Sequence, residues 1–124
     1  MRWLFVLLLW SAPALADDDG VFGSPFRFTE TSGASIYTHV CAGCHMPDGR
    51  GAVGAAAYPS LADDARLAAV GYPIGVVLRG QRAMPPFGRT LSDSQVADVV
   101  DYIRTHFGNN YAPPPTETEI RTAR

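Results

Sequence analysis

Lysine is absent from this chain of 124 residues, and all ten basic side chains are arginine. Any positive docking patch is therefore built from guanidinium groups, which favour planar, two-pronged contacts with carboxylates. The formal net charge is −2, which excludes the strongly basic signature of a nucleic-acid binder. Charged residues make up only 18% of the chain and hydrophobic residues 47%. That is the composition of a chain that folds rather than of a disordered one. No alternating apolar and polar run is long enough to predict a sheet. No apolar run reaches the ~20 residues that a membrane-spanning helix needs. Cysteine is scarce too: Cys41 and Cys44 are the only two. The length suits one small domain.

What the chain does contain begins with an export pattern. Arg2 precedes the apolar stretch Trp3 to Trp10, and Ala14-Leu15-Ala16 follows as a small-x-small cleavage motif. Residues 1–16 are expected to be a signal peptide cut after Ala16, which places the mature chain in the periplasm. Residues 17–32 read as an irregular lead-in in which Phe22, Phe26 and Phe28 are candidates to cover apolar surface.

The mature chain predicts an all-α fold of about four short helices joined by long loops. Ser32 is a candidate N-cap for a first helix, in which Ala34, Tyr37 and Cys41 share a stripe with Val40 beside it. Residues 46–60 are rich in Gly and Ala and read as a loop. Residues 61–70 suggest a short helix carrying Leu61 and Ala65, stopped by Gly71. Residues 73–80 suggest another, with Pro at its start and Gly at its end. Pro85 and Pro86 exclude helix from 81–90. The strongest signal follows. Ser92 and Gln95 form a capping box, Leu91 and Val96 a hydrophobic staple, and Val96, Val99, Val100, Ile103 and Phe107 line one face up to Gly108. Residues 111–124 read as a flexible tail. So few helices bury little apolar surface, and domains of this kind need a staple, a metal or a cofactor.

Cys41-Ala42-Gly43-Cys44-His45 supplies one. Export alone does not choose between its readings, since cysteines outside the cytoplasm also form disulfides. A disulfide here would close a very small loop and gain little chain entropy. A redox dithiol would need a βαβ setting, and a structural zinc site would need a second ligand pair. Two thiols for thioether bonds and an adjacent histidine for iron make a c-type haem attachment site. For the sixth iron position Met46 lies on the wrong side, His39 faces solvent, and His106 suits the end of the last helix. Met84 lies in a proline-stiffened, non-helical segment and is the candidate. Cys41, Cys44, His45 and Met84 thus form the predicted site, with His45 and Met84 on the metal. Such an iron is saturated, and the soft thioether favours Fe(II), so the expected role is one-electron transfer, not substrate chemistry. A peroxidase-like or ligand-sensing haem protein is the rival reading, although no distal His/Arg pair is evident beyond Arg82.

The blocks "GASIYTHVCAGCHMPDGRG", "YPSLADD", "VVLRGQRAMPPFG" and "LSDSQVADVVDYIRTHFGN" resemble those of monohaem class I cytochromes c. They are most similar to the bacterial periplasmic type found alone or as domains of dehydrogenase-linked subunits. The resemblance covers residues 33–110. It implies that the first and last helices cross, with Gly33 or Ala34 and Tyr37 meeting Tyr102 and Ile103. It implies that the Pro59 carbonyl accepts from the His45 ring, which fixes the tautomer. It also implies that Leu61, Val77 and Leu78 pack on the haem and that Arg79 or Arg82 faces a propionate. The implied partners are redox proteins: a dehydrogenase donor and an oxidase or cytochrome acceptor, met as a monomer or from within a complex. Arg79, Arg82 and Arg89 would offer them a positive rim.

Overall fold

A computed structural model describes residues 27–124, so the predicted signal peptide, Phe22 and Phe26 lie outside the described residues. One continuous helical rod, α1, runs through Gly33–Ile36, Tyr37–Cys41 and Ala42–His45. Its middle section is a π-turn, in which the Ala42 N–H donates to Tyr37 O, five residues back. The Thr38 hydroxyl donates to Ala34 O at 2.8 Å, a back-bond of the kind that bends helices. The bulge rotates the Cys-x-x-Cys-His turn relative to the face that precedes it. Helices α2 (Gly71–Arg79), α3 (Asp93–Thr105) and α4 (Glu117–Ala123) complete the helical set.

The crossing of α1 and α3 forms as the resemblance implies. A Cβ placed on Gly33 would fall against the Asp98 carbonyl and 2.8 Å from Tyr102 Cβ. Only a residue without a side chain lets the two backbones approach so closely. One turn further on, the ring of Tyr37 lies 5.5 Å from Tyr102 and 4.8 Å from Phe107. Val96, Val99, Val100 and Ile103 of α3 are buried with Ile36, Tyr37, Leu67, Ile74, Val77 and Leu78 in a single core. Their spacing follows the 3.6-residue period, as the sequence predicts.

Ser92 caps α3 through the expected box: its Oγ accepts from Gln95 N, while Gln95 Oε1 accepts from Ser92 N at 2.9 Å. Gln95 does a second job. Its Nε2 donates to Phe28 O and Glu30 O at 2.9 and 2.8 Å, which fastens the lead-in to the helix.

Several expectations need correction. The helix predicted over 61–70 shrinks to a 3-10 turn, Ala65–Ala68. Asp63 adopts φ 50° and Asp64 caps the turn by accepting from Arg66 N, so winding starts late. Helix α2 begins at Gly71, two residues before the proline expected to open it, because Pro tolerates the whole first turn. Helix α3 stops at Thr105, and Phe107 and Gly108 both take positive φ in a turn beyond it. A small antiparallel hairpin, β1 (Ala52–Val53) with β2 (Ala57–Tyr58), sits inside the 46–60 loop.

The largest correction concerns the tail expected to be flexible over 111–124. Residues Glu117–Ala123 form α4, with a reciprocal capping box between Thr116 and Glu119 and Ile120 fully buried. The helix packs on α2 and α3. Four helices are thus present among the described residues, but the fourth is the former tail and not 61–70.

Gly33→Ala tests the crossing. Forcing a methyl against the Asp98 backbone should lower stability by about 2–3 kcal/mol, the upper part of the range for overpacked sites. The shift in urea midpoint of the helical signal reads it directly.

Candidate functional site

α1 ends where the motif does. Met46 closes the helix at φ 65°, ψ 155°, with its N–H on Ala42 O. The Tyr37 hydroxyl donates to Met46 O at 2.7 Å, which anchors the turn from within the core. Gly51 then bonds back, its N–H on His45 O at 3.0 Å, with φ 65°. A Cβ on Gly51 would strike the Tyr58 carbonyl and come within 2.8 Å of Pro59. That close pass brings the Pro59 carbonyl to His45.

His45 is buried, with 8% of its surface exposed. Its Nδ1 lies 3.0 Å from Pro59 O. A carbonyl only accepts, so Nδ1 carries the proton and Nε2 is left with a free lone pair. The ring is thereby fixed in orientation and made a better donor. Cys41 is half-buried and Cys44 exposed, and no disulfide joins them. Leu61, Cys41 and Met84 are half-buried residues that border the cluster containing Val77 and Leu78.

Met84 sits in a loop with little room to move. Gln81 and Met84 exchange two backbone hydrogen bonds at 3.1 and 3.0 Å. Past the two prolines, Phe87 N donates to Val77 O at 2.9 Å and Gly88 N to Leu78 O at 3.1 Å. Among the described residues, the other methionine and the other histidines are placed differently. Met46 gives up its carbonyl to Tyr37, and the imidazole of His39 is 62% exposed beside Glu30. His106 donates through Nδ1 to Tyr102 O at 2.9 Å and stacks on the Tyr102 ring. Of the arginines expected to face a propionate, Arg79 is engaged elsewhere, donating to Ala123 O at 3.0 Å.

Two residues that hold the site together escaped the sequence reading. Asn109 is buried; its Nδ2 donates to Leu61 O at 2.7 Å and Ile103 O at 2.8 Å, and its Oδ1 accepts from Asp64 N at 3.0 Å. It ties the Pro59–Leu61 strand to α3. Arg104, 1% exposed, donates to Leu67 O, Ala68 O and Pro113 O. The one sequence signal for Asn109 is its place after Gly108, where a polar side chain can fold back on a helix end. Nothing local marks Arg104, two of whose three partners, Leu67 and Ala68, lie far off in the chain.

The residues present fit a covalently attached haem: two cysteines one helical turn apart with no disulfide between them, an imidazole whose Nδ1 is held by the Pro59 carbonyl, and a thioether on a stiffened loop. A family model described as "Cytochrome C oxidase, cbb3-type, subunit III" matches residues 29–103. Among curated proteins, the fructose dehydrogenase cytochrome subunit of Gluconobacter japonicus is 34% identical over 97 residues, 66% of this chain and 20% of that protein. The alcohol dehydrogenase (quinone) cytochrome c subunit of Gluconobacter oxydans is 35% identical over 106 residues, 75% of this chain and 22% of that protein. Cytochrome c6 of Limnospira maxima is 38% identical over 81 residues, 58% of this chain and 86% of that protein. The chain therefore spans about a fifth of the dehydrogenase subunits it matches and most of the cytochrome c6. It belongs to the class I monohaem c-type cytochromes, in the family that this model describes. Membership of that family implies covalently bound haem c. None of its described helices is long and apolar enough to cross a membrane.

The Tyr37 anchor predicts a pH effect. Burial, then the neighbouring Cys41, raises its phenol from 10.0 to about 12. A folded value above the unfolded one means that the fold favours the neutral phenol. This stability is complete below pH 10.0 and is lost as pH rises towards about 12. Its size is of order 2 kcal/mol, less whatever part disappears once Cys41 is a thioether. Urea midpoints across that window should fall more steeply for the parent than for Tyr37→Phe. Equal slopes would show that the phenol stays solvated.

Proposed function

We propose that Cys41 and Cys44 would hold the haem as thioethers, that His45 and Met84 would ligate its iron, and that the chain carries single electrons between a dehydrogenase and a terminal oxidase or another cytochrome. The observation that carries this is the His45 ring, buried and held by the Pro59 carbonyl at 3.0 Å with Nε2 free. When bound, the group supplies an iron that passes between two oxidation states by one electron. The protein's part is to hold the ligands still. Pro59 fixes the imidazole, and the Gln81–Met84 pair with the two prolines fixes the thioether. A ligand set that moves little between oxidation states keeps reorganisation small, and the soft sulfur favours Fe(II).

Export through residues 1–16 to the periplasm, and the extent of the haem domain over 33–110, belong to the same proposal. Support for export comes from the Arg2, apolar and Ala14-Leu15-Ala16 pattern. The similarity to dehydrogenase cytochrome subunits favours a second arrangement, in which the chain is a fixed subunit rather than a free shuttle. Gel filtration of native extract separates the two.

Met84→Ala should abolish the methionine-to-ferric-iron charge-transfer absorption. It should also lower the reduction potential by on the order of 100 mV, within the ~0.8 V that axial ligands span. An unchanged spectrum would sink the assignment.

Docking is the second test. With Arg79 turned towards α4, the exposed Arg82 and Arg89 form no ion pair among the described residues. They suit an acidic partner surface, met by the small, short-lived contact usual for electron transfer. Electron-transfer rates with such a partner should fall as ionic strength rises, and Arg82→Gln/Arg89→Gln should flatten that dependence.

A further inference from the structure

We propose that Arg124 is a positioning residue for Met84: its guanidinium clamps the turn that follows the methionine loop and so keeps the thioether at its post. The inference rests on the reading of Met84 as an iron ligand.

The three faces of one guanidinium fork are all used within residues 88–93. Nη1 donates to Gly88 O, Nη2 to Leu91 O at 2.9 Å, and Nε to Asp93 Oδ1 at 2.6 Å. Gly88 O accepts from no backbone N–H outside the helices among the described residues, so Arg124 is its partner. Such charge-assisted, multi-pronged contacts are the ones that fix geometry as well as add energy.

The clamp reaches Met84 because the chain between them is stiff. Pro85 and Pro86 have fixed φ and no N–H, so the stretch from Met84 to Gly88 is held at its two ends. One end is the Gln81–Met84 pair; the other is the ladder of Phe87 and Gly88 onto Val77 and Leu78. Gly80 packs against the backbone of Met84 to Pro86, at 2.9 Å from Pro86 N for a Cβ placed there. A shift at Gly88 is therefore passed to Met84 rather than absorbed. The lead-in also reaches this turn, the Phe28 ring lying 6.4 Å from that of Phe87.

Arg124 is delivered to this position by α4, not by chance contact. Ile120 seats the helix in the core, Arg79 holds Ala123 O at 3.0 Å, and Arg121 lies 3.5 Å from Asp93. Burial by Ile120 supplies docking; the Arg124 guanidinium makes its hydrogen bonds, among the described residues, to Gly88, Leu91 and the first residue of α3, Asp93. Loss of Arg124 should thus loosen one loop and leave the core in place.

The test uses the full haem-loaded chain, with imidazole as the competing ligand of the oxidised iron. Four variants are compared: Arg124→Ala, Arg124→Lys, Val99→Ala as a core lesion, and Met84→Ala. Arg124→Ala should raise imidazole affinity about tenfold, which is ~1.4 kcal/mol of released hold on the loop. Its charge-transfer absorption should bleach at lower urea than its helical signal. Arg124→Lys, a point charge that can pair with Asp93 but not span both carbonyls, should fall between. Val99→Ala should lower the urea midpoint of the helical signal and leave imidazole affinity unchanged. The proposal is overturned if Arg124→Ala leaves imidazole affinity unchanged, or if Val99→Ala raises it as much, since Arg124 would then act only through global stability. Met84→Ala separates the two levels. If it leaves the charge-transfer absorption intact, the ligand reading fails and takes the clamp with it. If it abolishes that absorption while Arg124→Ala does nothing, the clamp alone fails.

Discussion

Where α1 passes α3, the missing side chain of Gly33 lets one backbone rest against the other at Asp98 and Tyr102. Most of the site geometry descends from that contact. With the helices so close, Tyr37 one turn on falls among Tyr102 and Phe107, ring centroids 4.8–5.7 Å apart. Such aromatic pairs contribute about 0.5–1.5 kcal/mol each beyond their buried area. The hydroxyl of the same Tyr37 reaches Met46 O and pins the end of α1. The direction in which His45 leaves the helix is therefore set by packing a full two turns earlier. A π-turn lies between, so the phase of the motif relative to the crossing is one residue off that of a regular helix.

Between α1 and α2 regular structure nearly vanishes, and the backbone's polar groups must be met in other ways. Gly49 O takes the N–H groups of Leu61 and Ala62, Asp63 N goes to Phe107 O, and Asn109 collects Leu61 O and Asp64 N. Arg104 does the same for Leu67 O, Ala68 O and Pro113 O. Burying a guanidinium without a carboxylate is costly unless its donors are met; here each of the three nitrogens donates to a carbonyl, so three of the five N–H groups have partners. The long loop is thus not loose. It is a strand of irregular backbone stitched at intervals to α3 by two polar side chains.

That pattern explains what could be read from the sequence and what could not. The stripe of Val96, Val99, Val100 and Ile103 and the Ser92–Gln95 box are local signals, and α3 formed on them. The haem motif is local too, five residues with the attachment chemistry written in order. α4 was local as well, in the Thr116-x-x-Glu119 box, but three prolines and a row of charges hid it. Its one strong apolar residue, Ile120, has meaning only once α2 and α3 offer a surface. For 61–70 the propensity of Ala and Leu argued for helix, yet Asp63 at φ 50° and the ties of Leu61 and Ala62 to Gly49 took the first turn away. Arg104 and Arg124, and most of what Asn109 does, were illegible for a simpler reason. Most of their partners lie tens of residues away, and polar residues with distant partners leave no periodic trace.

An electron carrier gains from ligands that keep their places when the charge on the metal changes, yet loops are ordinarily the mobile parts of a fold. Both stretches proposed to bear ligands begin as loop or helix end. The histidine side answers with a backbone carbonyl on the ring and a tyrosine under the turn. The methionine side has no buried anchor of that kind; Met84 is only half-buried. What it has instead is stiffness along the chain, from Pro85 and Pro86, and contacts at the borders, with α2 carbonyls, Phe28 and Arg124. Those flanking residues come from segments outside the two crossing helices, and Arg124 lies beyond the stretch matched by the family model. The crossing can therefore specify the histidine half of the site by itself, whereas the methionine half depends on what each additional segment brings to the 84–91 turn.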